Sequence, residues 1–167
     1  MPNIVLIAHN LRSTHNVGSL LRTAEGLGVT KVFLTGYTPY PLTPNDTRLP
    51  HLAQKLDKQI AKTALDAEKT LEWEHVEDIS DVFNNLKKDG YQIAALEQTP
   101  ASIPLPDFKS PDKIAIILGR EVEGLEPEIL ALCDTALEIP MFGQKESFNV
   151  VQAAAIALYH LRFAKSA

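Results

Sequence analysis

The sequence predicts an α/β domain in which helices flank a mostly parallel β-sheet. Two short runs, residues 3–8 and 113–118, are almost entirely apolar, which is typical of strands that a parallel sheet buries on both faces. A third observation is the strand–helix–strand unit over residues 3–35. This unit is the building block of parallel sheets, so it favours the same fold class.

The first half of the chain alternates predicted strands and helices. After the strand at 3–8, apolar residues recur at helical spacing, which predicts a helix over 16–28. Residues 14–16 can cap its start, and Gly28 can end it. The remaining elements of this half are a strand at 31–35, a long loop with four prolines at 36–50, a helix around 51–69, a short strand at 72–75, a helix at 79–88 and a strand at 91–96.

The second half continues the alternation. It comprises a proline-rich stretch at 100–111, a buried strand at 113–118, a short helix that begins at Pro127, a strand at 135–141 and a C-terminal helix that begins at Ser147. The last helix has one apolar stripe, formed by Val150, Val151, Ala154, Ala155, Leu158 and Leu161. Because no linker or internal repeat interrupts the pattern, we expect a single domain over residues 1–167 without an extension domain.

Composition and cysteine usage exclude several classes of protein. Of the 167 residues, 45% are hydrophobic and 22% are charged, as in ordinary globular proteins. A single cysteine, Cys133, excludes a disulfide framework and a cysteine-based zinc site, and the histidines form no pair with metal-ligand spacing. No apolar run approaches the roughly 20 residues of a membrane span, and no signal peptide precedes the first strand. We therefore expect a cytoplasmic protein without a metal.

The charge is distributed unevenly along the chain. The net charge of −5 argues at first against a nucleic-acid partner. Residues 1–62, however, have seven basic and three acidic side chains, a net charge of +4, whereas residues 63–167 have nine basic and eighteen acidic side chains, a net charge of −9. The basic segment is therefore the one expected to meet a phosphate backbone, through Arg12, Arg22, Arg48 and Lys55.

Polar segments follow four of the predicted strands. Because ligands of parallel sheets bind beyond the carboxyl ends of the strands, these segments predict a site. They are residues 9–22, 96–98, 119–125 and 140–149. In the first segment, Arg22 can grip a phosphate or carboxylate with two hydrogen bonds. The alternative is that Asn16 only caps the helix and that Arg22 is a solvated side chain.

The two later segments also have simple structural interpretations. Residues 119–125 begin and nearly end with glycine, which lets a ligand approach the backbone, but a glycine-flanked turn explains them equally well. They form no dinucleotide-binding or P-loop motif. In the last segment, Ser147 could be a helix cap and Asn149 an inert residue of the first turn. Ser147 does not lie in a nucleophile elbow, so covalent hydrolysis is disfavoured.

Taken together, three segments resemble the TrmH (SpoU) branch of the SPOUT methyltransferases. The segment NVGSLLRTA at 16–24 resembles the first motif of this family, and ILGREVEGL at 117–125 resembles the second. The third is matched by IPM at 139–141, followed by SFNV at 147–150. The motifs occur in the family's order and span nearly the whole chain. Phe148 and Gln152 depart mildly from the usual residues.

The resemblance implies a fold, a cofactor and an assembly. The family fold is an α/β sheet with a deep C-terminal trefoil knot, in which S-adenosylmethionine is bound. By position, the cofactor-binding residues would be Leu96, Glu97, Gly119, Ile139, Met141, Ser147 and Phe148. Members of the family act as homodimers that pack through the knot and the last helix, and the apolar stripe of that helix suits this role as well as it suits the domain's own core.

The implied reaction is methyl transfer to a ribose 2′-hydroxyl of RNA. The family's catalytic positions correspond to Asn16, Arg22, Glu121, Ser147 and Asn149. In the family, the residue equivalent to Arg22 has been described as a general base. A guanidinium is a poor base, so our alternative hypothesis is that Arg22 clamps a phosphate and stabilises the developing alkoxide.

The RNA substrate is left open between two classes. A domain without extensions favours tRNA over rRNA, although rRNA is retained as a candidate. Two other functions are retained as alternatives: a non-catalytic RNA-binding protein on the same knotted scaffold, and a flavodoxin-like nucleotide-binding protein. The second alternative explains the α/β pattern but not the motifs at 119–121 and 147–149.

Overall fold

The computed structural model describes residues 1–164 and contains one seven-stranded sheet. The strands are β1 (Asn3–His9), β2 (Lys31–Thr35), β3 (Trp73–Val76), β4 (Gln92–Leu96), β5 (Ile103–Pro104), β6 (Lys113–Leu118) and β7 (Thr135–Glu138). The helices are α1 (Thr14–Gly26), α2 (Pro50–Ala64), α3 (Ala67–Thr70), α4 (Ile79–Lys88), α5 (Pro127–Leu132) and α6 (Val150–Phe163), with a 3₁₀ turn at Leu105–Asp107. This architecture confirms the predicted α/β fold class.

The sheet is parallel throughout its strand pairs. Its order is β3-β2-β1-β6-β4-β7-β5, and all six pairs of neighbouring strands are parallel. The two strands predicted to be most deeply buried, β1 and β6, lie side by side in the middle, with Leu6 opposite Ile116. Because all the strands run the same way, the segments that follow them emerge at one edge of the sheet.

Helices cover both faces of the sheet, which explains why the central strands are apolar at every position. Side chains of a strand alternate between the two faces. Ile4 and Leu6 of β1 therefore belong to the core beneath α1, α2 and α6, whereas Val5 and Ile7 belong to the core beneath α4. Both cores need apolar side chains, so the strand has no polar face.

Two of the predicted helices differ from the structure, one in its cap and one in its length. Ser13 caps α1, because its hydroxyl accepts a hydrogen bond from the backbone N–H of Asn16 at 3.1 Å. The helix predicted around 51–69 is broken into α2 and α3, since Leu65 and Asp66 have left-handed backbone conformations with φ of 49° and 71°. The sequence around this break has no glycine or proline, so no local signal marks it.

The last predicted strand and helix are both shorter than expected. β7 ends at Glu138 and α6 begins at Val150, so residues 139–149 form a loop. The prediction that Ser147 opens the last helix is wrong, because the side chain of Asn149 caps it by accepting a hydrogen bond from the N–H of Val151 at 2.8 Å. The interpretation of Asn149 as an inert first-turn residue fails for the same reason.

The apolar stripe of α6 lies mainly against the domain's own core. Ala154, Leu158 and Leu161 are buried there, which leaves a different face of the helix exposed. The predicted trefoil knot concerns the threading of the chain, which strand pairing does not define, so the knot stays a prediction. None of the helices within residues 1–164 combines the length and the hydropathy needed to cross a membrane.

Candidate functional site

One cleft lies beyond the carboxyl ends of β4, β6 and β7. It has a volume of about 180 Å³ and is bordered by the residues that follow these strands, together with the start of α6. All seven predicted cofactor-binding residues line it, namely Leu96, Glu97, Gly119, Ile139, Met141, Ser147 and Phe148. The structure thus brings together residues that are up to 52 positions apart in the sequence, while their role in binding stays a prediction.

The lining of the cleft combines apolar and acidic side chains. Leu96, Leu137, Ile139 and Met141 contribute apolar surface. The charged residues around it are five glutamates and one arginine, namely Glu97, Arg120, Glu121, Glu123, Glu138 and Glu146. A ligand with a flat apolar ring and a positive charge matches this lining.

The loop after β6 is held in a tight turn beside this cleft. Arg120 and Gly124 exchange two backbone hydrogen bonds, of 3.2 and 3.0 Å. Gly124 adopts a φ of 70°, which glycine accepts without strain, and a Cβ there would overlap the carboxylate of Glu97. That carboxylate accepts a hydrogen bond from the N–H of Leu125 at 3.0 Å. Glu97 therefore braces the loop in addition to lining the cleft.

Three of the predicted catalytic residues form one hydrogen-bonded chain. The amide of Asn16 donates to Glu121 at 3.4 Å, and the amide of Asn149 donates to the side-chain oxygen of Asn16 at 3.5 Å. Glu121 also accepts hydrogen bonds from the backbone N–H groups of Arg12 and Ser13, each at 3.2 Å. The chain thereby joins the start of α1, the loop after β6 and the start of α6.

These hydrogen bonds determine the charge state of Glu121. Burial raises the pKa of its carboxyl group, but hydrogen bonds from its own N–H, from Ser13 and Arg12, and from the Asn16 amide outweigh burial. The pKa of Glu121 is therefore lower than usual, and the group is ionised at neutral pH. An ionised carboxylate is a hydrogen-bond acceptor only, so it can orient Asn16 but cannot act as an acid.

The other two predicted catalytic residues lie apart from this chain. Ser147 lines the cleft, two residues before Asn149. Arg22 is exposed on α1, in a shallow groove that it shares with Ser19, Thr23 and Thr63. Since Arg22 follows Asn16 by six residues, it lies about 240° around the helix from it. The structure therefore does not bring Arg22 to the cleft within one chain.

A buried polar cluster lies at the end of β1, within the predicted polar segment 9–22, although no role was predicted for His9. His9 is 7% exposed, and its Nδ1 lies 2.9 Å from the hydroxyl of Thr35. Its Nε2 lies 3.6 Å from a carboxylate oxygen of Glu126. Burial lowers the pKa of His9, although Glu126 opposes the effect. In the sequence, His9 follows the apolar run 4–8 directly, and this position was the signal that could have indicated its role.

Asn10 connects this cluster to two loops. Its amide donates to Glu126 at 3.4 Å, and its oxygen accepts a hydrogen bond from the N–H of Tyr37 at 3.0 Å. Asn10 has a φ of 56°, a conformation that asparagine tolerates better than most residues. The cluster therefore fixes the loops after β2 and β6 relative to the end of β1.

Arg48 does not have the role expected for it. Its guanidinium forms an ion pair with Asp46, donates to the carbonyl oxygens of Tyr40 and Pro41 at 2.9 and 3.0 Å, and lies 3.5 Å from the centre of the Tyr40 ring. The side chain is 15% exposed. Arg48 thus stabilises the proline-rich loop from within, and the expectation that it meets a phosphate backbone is wrong.

Cysteine and metal chemistry find little support in the described chain. Burial raises the pKa of the Cys133 thiol to about 11, so it is protonated at neutral pH and is a weak nucleophile. Within residues 1–164, no group of three or more His, Cys, Asp and Glu side chains is arranged to hold a metal ion.

Comparison with known proteins identifies related sequences along nearly the whole chain. The model of the SpoU rRNA Methylase family matches residues 3–159. A tRNA (guanosine(18)-2′-O)-methyltransferase of Borreliella burgdorferi is 27% identical over 160 residues, which cover 95% of this chain and 65% of that protein. A 23S rRNA (guanosine-2′-O-)-methyltransferase of Ralstonia nicotianae is 28% identical over 95% of this chain and 57% of its own length. The chain thus spans less than two thirds of these relatives.

The fold also occurs in solved structures. An AdoMet-bound rRNA methyltransferase from Sinorhizobium meliloti superposes with a TM-score of 0.79 at 18% sequence identity, over 96% of this chain and 56% of that chain. At this level of identity the likeness concerns the fold, and it extends over the strands and loops that surround the cleft.

Proposed function

The chain belongs to the SpoU rRNA Methylase family, and on that premise we propose that it methylates a ribose 2′-hydroxyl of RNA with S-adenosylmethionine as the methyl donor. The observation that supports this most directly is that seven residues matching the family's cofactor positions line one cleft. We further propose that residues 1–167 form a single catalytic domain.

The lining of the cleft suits this cofactor. S-adenosylmethionine is a nucleoside with a positively charged sulfur, and when bound it supplies an electrophilic methyl group. Ile139, Met141 and Phe148 would hold the adenine between apolar surfaces. The glutamates around the cleft would favour the positive charge by Coulomb attraction, and the tight turn of residues 119–125 would present backbone groups to the ribose.

Asn16, Glu121 and Asn149 would orient the acceptor ribose. Methyl transfer needs the hydroxyl oxygen aligned with the methyl carbon. As the new C–O bond forms and the methyl–sulfur bond breaks, the hydroxyl proton would pass to solvent water. The two asparagine amides are connected to each other, and Glu121 fixes the first of them. A preorganised set of amides costs little reorganisation when charge develops on the oxygen. The Ser147 hydroxyl, which lines the same cleft, would supply a further hydrogen bond.

Arg22 would bind a phosphate of the RNA. A guanidinium donates hydrogen bonds and is a poor base, so the role of clamp suits Arg22 better than the role of general base. The position of Arg22 on the exposed side of α1, in a groove with hydroxyl groups of Ser19, Thr23 and Thr63, suits a phosphate clamp. Within one chain, this position favours the clamp over direct contact with the developing alkoxide.

We also propose a cytoplasmic homodimer that acts on tRNA in preference to rRNA. Exposed apolar side chains near the cleft and on α6 support an assembly, because water is an unfavourable environment for them. Phe142 is 99% exposed, Val122 91%, Tyr159 60% and Ile156 38%. For the substrate, the names of the relatives include both RNA classes, and we propose tRNA as the first to be tested.

Mass spectrometry of nucleosides tests the proposed activity. Total tRNA and rRNA from cells with and without the gene should differ in one 2′-O-methylated nucleoside, and the purified protein with S-adenosylmethionine should restore it. If no such nucleoside changes in either RNA class, and the purified protein transfers no methyl group to RNA from the deletion strain, the proposal is refuted.

A further inference from the structure

The outward face of α2 has a row of three lysines. Lys55, Lys58 and Lys62 are all exposed, and their spacing of three and four residues places them on one side of the helix. None of them forms an ion pair with another residue in the described part of the chain. Asp57 points elsewhere, since its carboxylate accepts a hydrogen bond from the N–H of Leu42 at 2.8 Å.

This lysine row lies beside the groove that contains Arg22. Helix α2 contacts α1 along the edge formed by Gln59 and Thr63, whose side chains bond to Thr14 and to the carbonyl of His15 at 3.3 and 2.9 Å. Lys55 and Lys62, at four residues before and three residues after Gln59, flank this same edge. The lysine row therefore lies next to the edge of α2 that contacts α1, the helix that carries Arg22.

Other cations of the basic N-terminal segment are already neutralised. Arg48 is paired with Asp46, and Lys31 lies 3.2 and 2.9 Å from the carboxylates of Glu72 and Glu74. Within residues 1–62, the positive charge that remains available to a partner is thus concentrated on α1 and α2. The charged residues of the cleft, in contrast, are five glutamates and one arginine, so the cleft itself does not attract a polyanion.

We infer that the face of Lys55, Lys58 and Lys62, next to Arg22, docks the phosphate backbone of the RNA. The inference rests on the proposed function, because it names where the substrate of that reaction is held. The face attracts the polyanion and keeps it on the protein, while the acidic cleft remains free for the cationic cofactor. The contacts are made to phosphates, so the face carries no sequence preference.

The salt dependence of RNA binding tests the docking face. Each phosphate contact contributes about 0.7 to the slope of log affinity against log salt for single strands and about 0.9 for duplexes. We compare the wild-type protein with the triple variant Lys55→Gln, Lys58→Gln and Lys62→Gln. Glutamine is a good helix former, so α2 should stay intact. The control variant, Lys87→Gln, Lys88→Gln and Lys109→Gln, removes the same charge from exposed positions elsewhere.

We expect the slope of log affinity against log salt to become shallower in the triple variant of α2 and in no other protein. Three contacts account for a slope of about 2, so between 50 and 200 mM salt the affinity of the wild-type protein for tRNA should fall roughly 20-fold more than that of the triple variant. The control should retain the wild-type slope, and the affinity of all three proteins for S-adenosylmethionine, measured by calorimetry, should be equal.

Two outcomes separate this inference from the proposed activity. A triple variant that keeps the full wild-type slope overturns the docking face, even if the protein methylates RNA. A wild-type protein that binds RNA with the expected slope, and loses it in the triple variant, but methylates nothing, supports the docking face and refutes the proposed activity.

Discussion

The amide of Asn16 donates a hydrogen bond to the carboxylate of Glu121 at 3.4 Å, across 105 residues of sequence. This contact joins the start of α1 to the loop that borders the cleft, and the contact of Asn149 with Asn16 extends it to α6. The segments that resemble the three motifs of the family are therefore connected directly through their polar side chains. Changing one of them should disturb the others.

Replacement of Glu121 by glutamine should weaken the hydrogen bond between Asn16 and Glu121, because it changes the group that accepts the bond. Three donors, the backbone N–H groups of Arg12 and Ser13 and the Asn16 amide, point at the carboxylate, and glutamine would turn an NH₂ group towards one or more of them. A lost hydrogen bond costs about 1 kcal/mol, so we expect methyl transfer to fall about fivefold. Hydrogen exchange of the Arg12 and Ser13 amides should become faster.

The variant Glu128→Gln is the control for this experiment, because Glu128 is exposed on α5. It should retain the activity and the amide exchange of the wild-type protein. If the amide hydrogens of Arg12 and Ser13 exchange at the wild-type rate in Glu121→Gln, the carboxylate does not hold these two N–H groups.

Two substitutions of Asn149 should separate its two contacts. Asn149→Asp keeps an oxygen that can accept the hydrogen bond from Val151, and an anion at the start of a helix is favourable. It removes the donor to Asn16. Asn149→Ala removes both contacts. We expect the alanine variant to lose about 1 kcal/mol of unfolding free energy, the aspartate variant to lose none, and both to lose activity. An active aspartate variant would show that only the helix cap matters.

The sequence predicted the parts of this structure that depend on local patterns. The bounds predicted for β6 and α4 agree with the structure, since apolar periodicity and end signals act within a few residues. The cleft was predicted as well, because the carboxyl ends of parallel strands share one edge. The break at Leu65 and the short β5 were missed, since tertiary contacts rather than local residues determine them.

The charged residues were harder to predict than the apolar ones. Arg48 and Arg22 look alike in the sequence, but the first is enclosed by the carbonyl groups of its own loop and the second is exposed. Sequence spacing does not tell which acid or carbonyl a long side chain will reach. Of the four cations expected to meet a phosphate backbone, Arg48 is therefore the one that the structure removes.

Replacement of Arg22 by lysine tests the phosphate clamp. Lysine keeps the charge but cannot form two parallel hydrogen bonds to one phosphate. If Arg22 clamps a phosphate in this way, we expect methyl transfer by Arg22→Lys to fall about tenfold or more, with the affinity for S-adenosylmethionine unchanged. Activity near the wild-type level, together with wild-type affinity for RNA, would exclude the bidentate clamp. Steady-state kinetics with tRNA as the varied substrate gives the measurement.

The burial of His9 should make stability depend on pH. Burial lowers the pKa of His9 in the folded protein, and Glu126 only partly opposes it. The unfolded chain therefore binds more protons than the folded one as the pH falls below about 6.5, and the unfolding free energy decreases in this window. Above it, the contribution is fully present. Urea unfolding at pH 7.5, 6.5 and 5.5 measures the effect.

The variant His9→Gln should lose stability less steeply across this window than the wild-type protein. His51→Gln is the control, because His51 is exposed at the start of α2, and it should keep the wild-type dependence. The three proteins are compared by how much the unfolding free energy of each changes between pH 7.5 and 5.5. A loss of stability in His9→Gln that is the same at every pH therefore does not affect the result. Equal dependence in all three proteins would contradict the assignment to His9.

The close contact between α1 and α2 depends on Gly18. A Cβ atom at this position would overlap the hydroxyl of Thr63 and the carbonyl oxygen of Ile60, and would lie 2.9 Å from the N of Ala64. Two of these atoms belong to the backbone of α2, which cannot move without displacing the helix. We therefore expect Gly18→Ala to reduce the unfolding free energy by about 1–3 kcal/mol, as overpacking does.

Gly26 provides a matched control in the same helix. A Cβ atom there would have no neighbour within 4 Å, and alanine favours the helix over glycine by about 0.5–1 kcal/mol. Gly26→Ala should thus leave the unfolding free energy unchanged or increase it, while Gly18→Ala decreases it. Because α2 also carries the proposed docking face, Gly18→Ala should weaken RNA binding at salt concentrations where Gly26→Ala does not. A Gly18→Ala protein as stable as Gly26→Ala would show that the two helices can separate without cost.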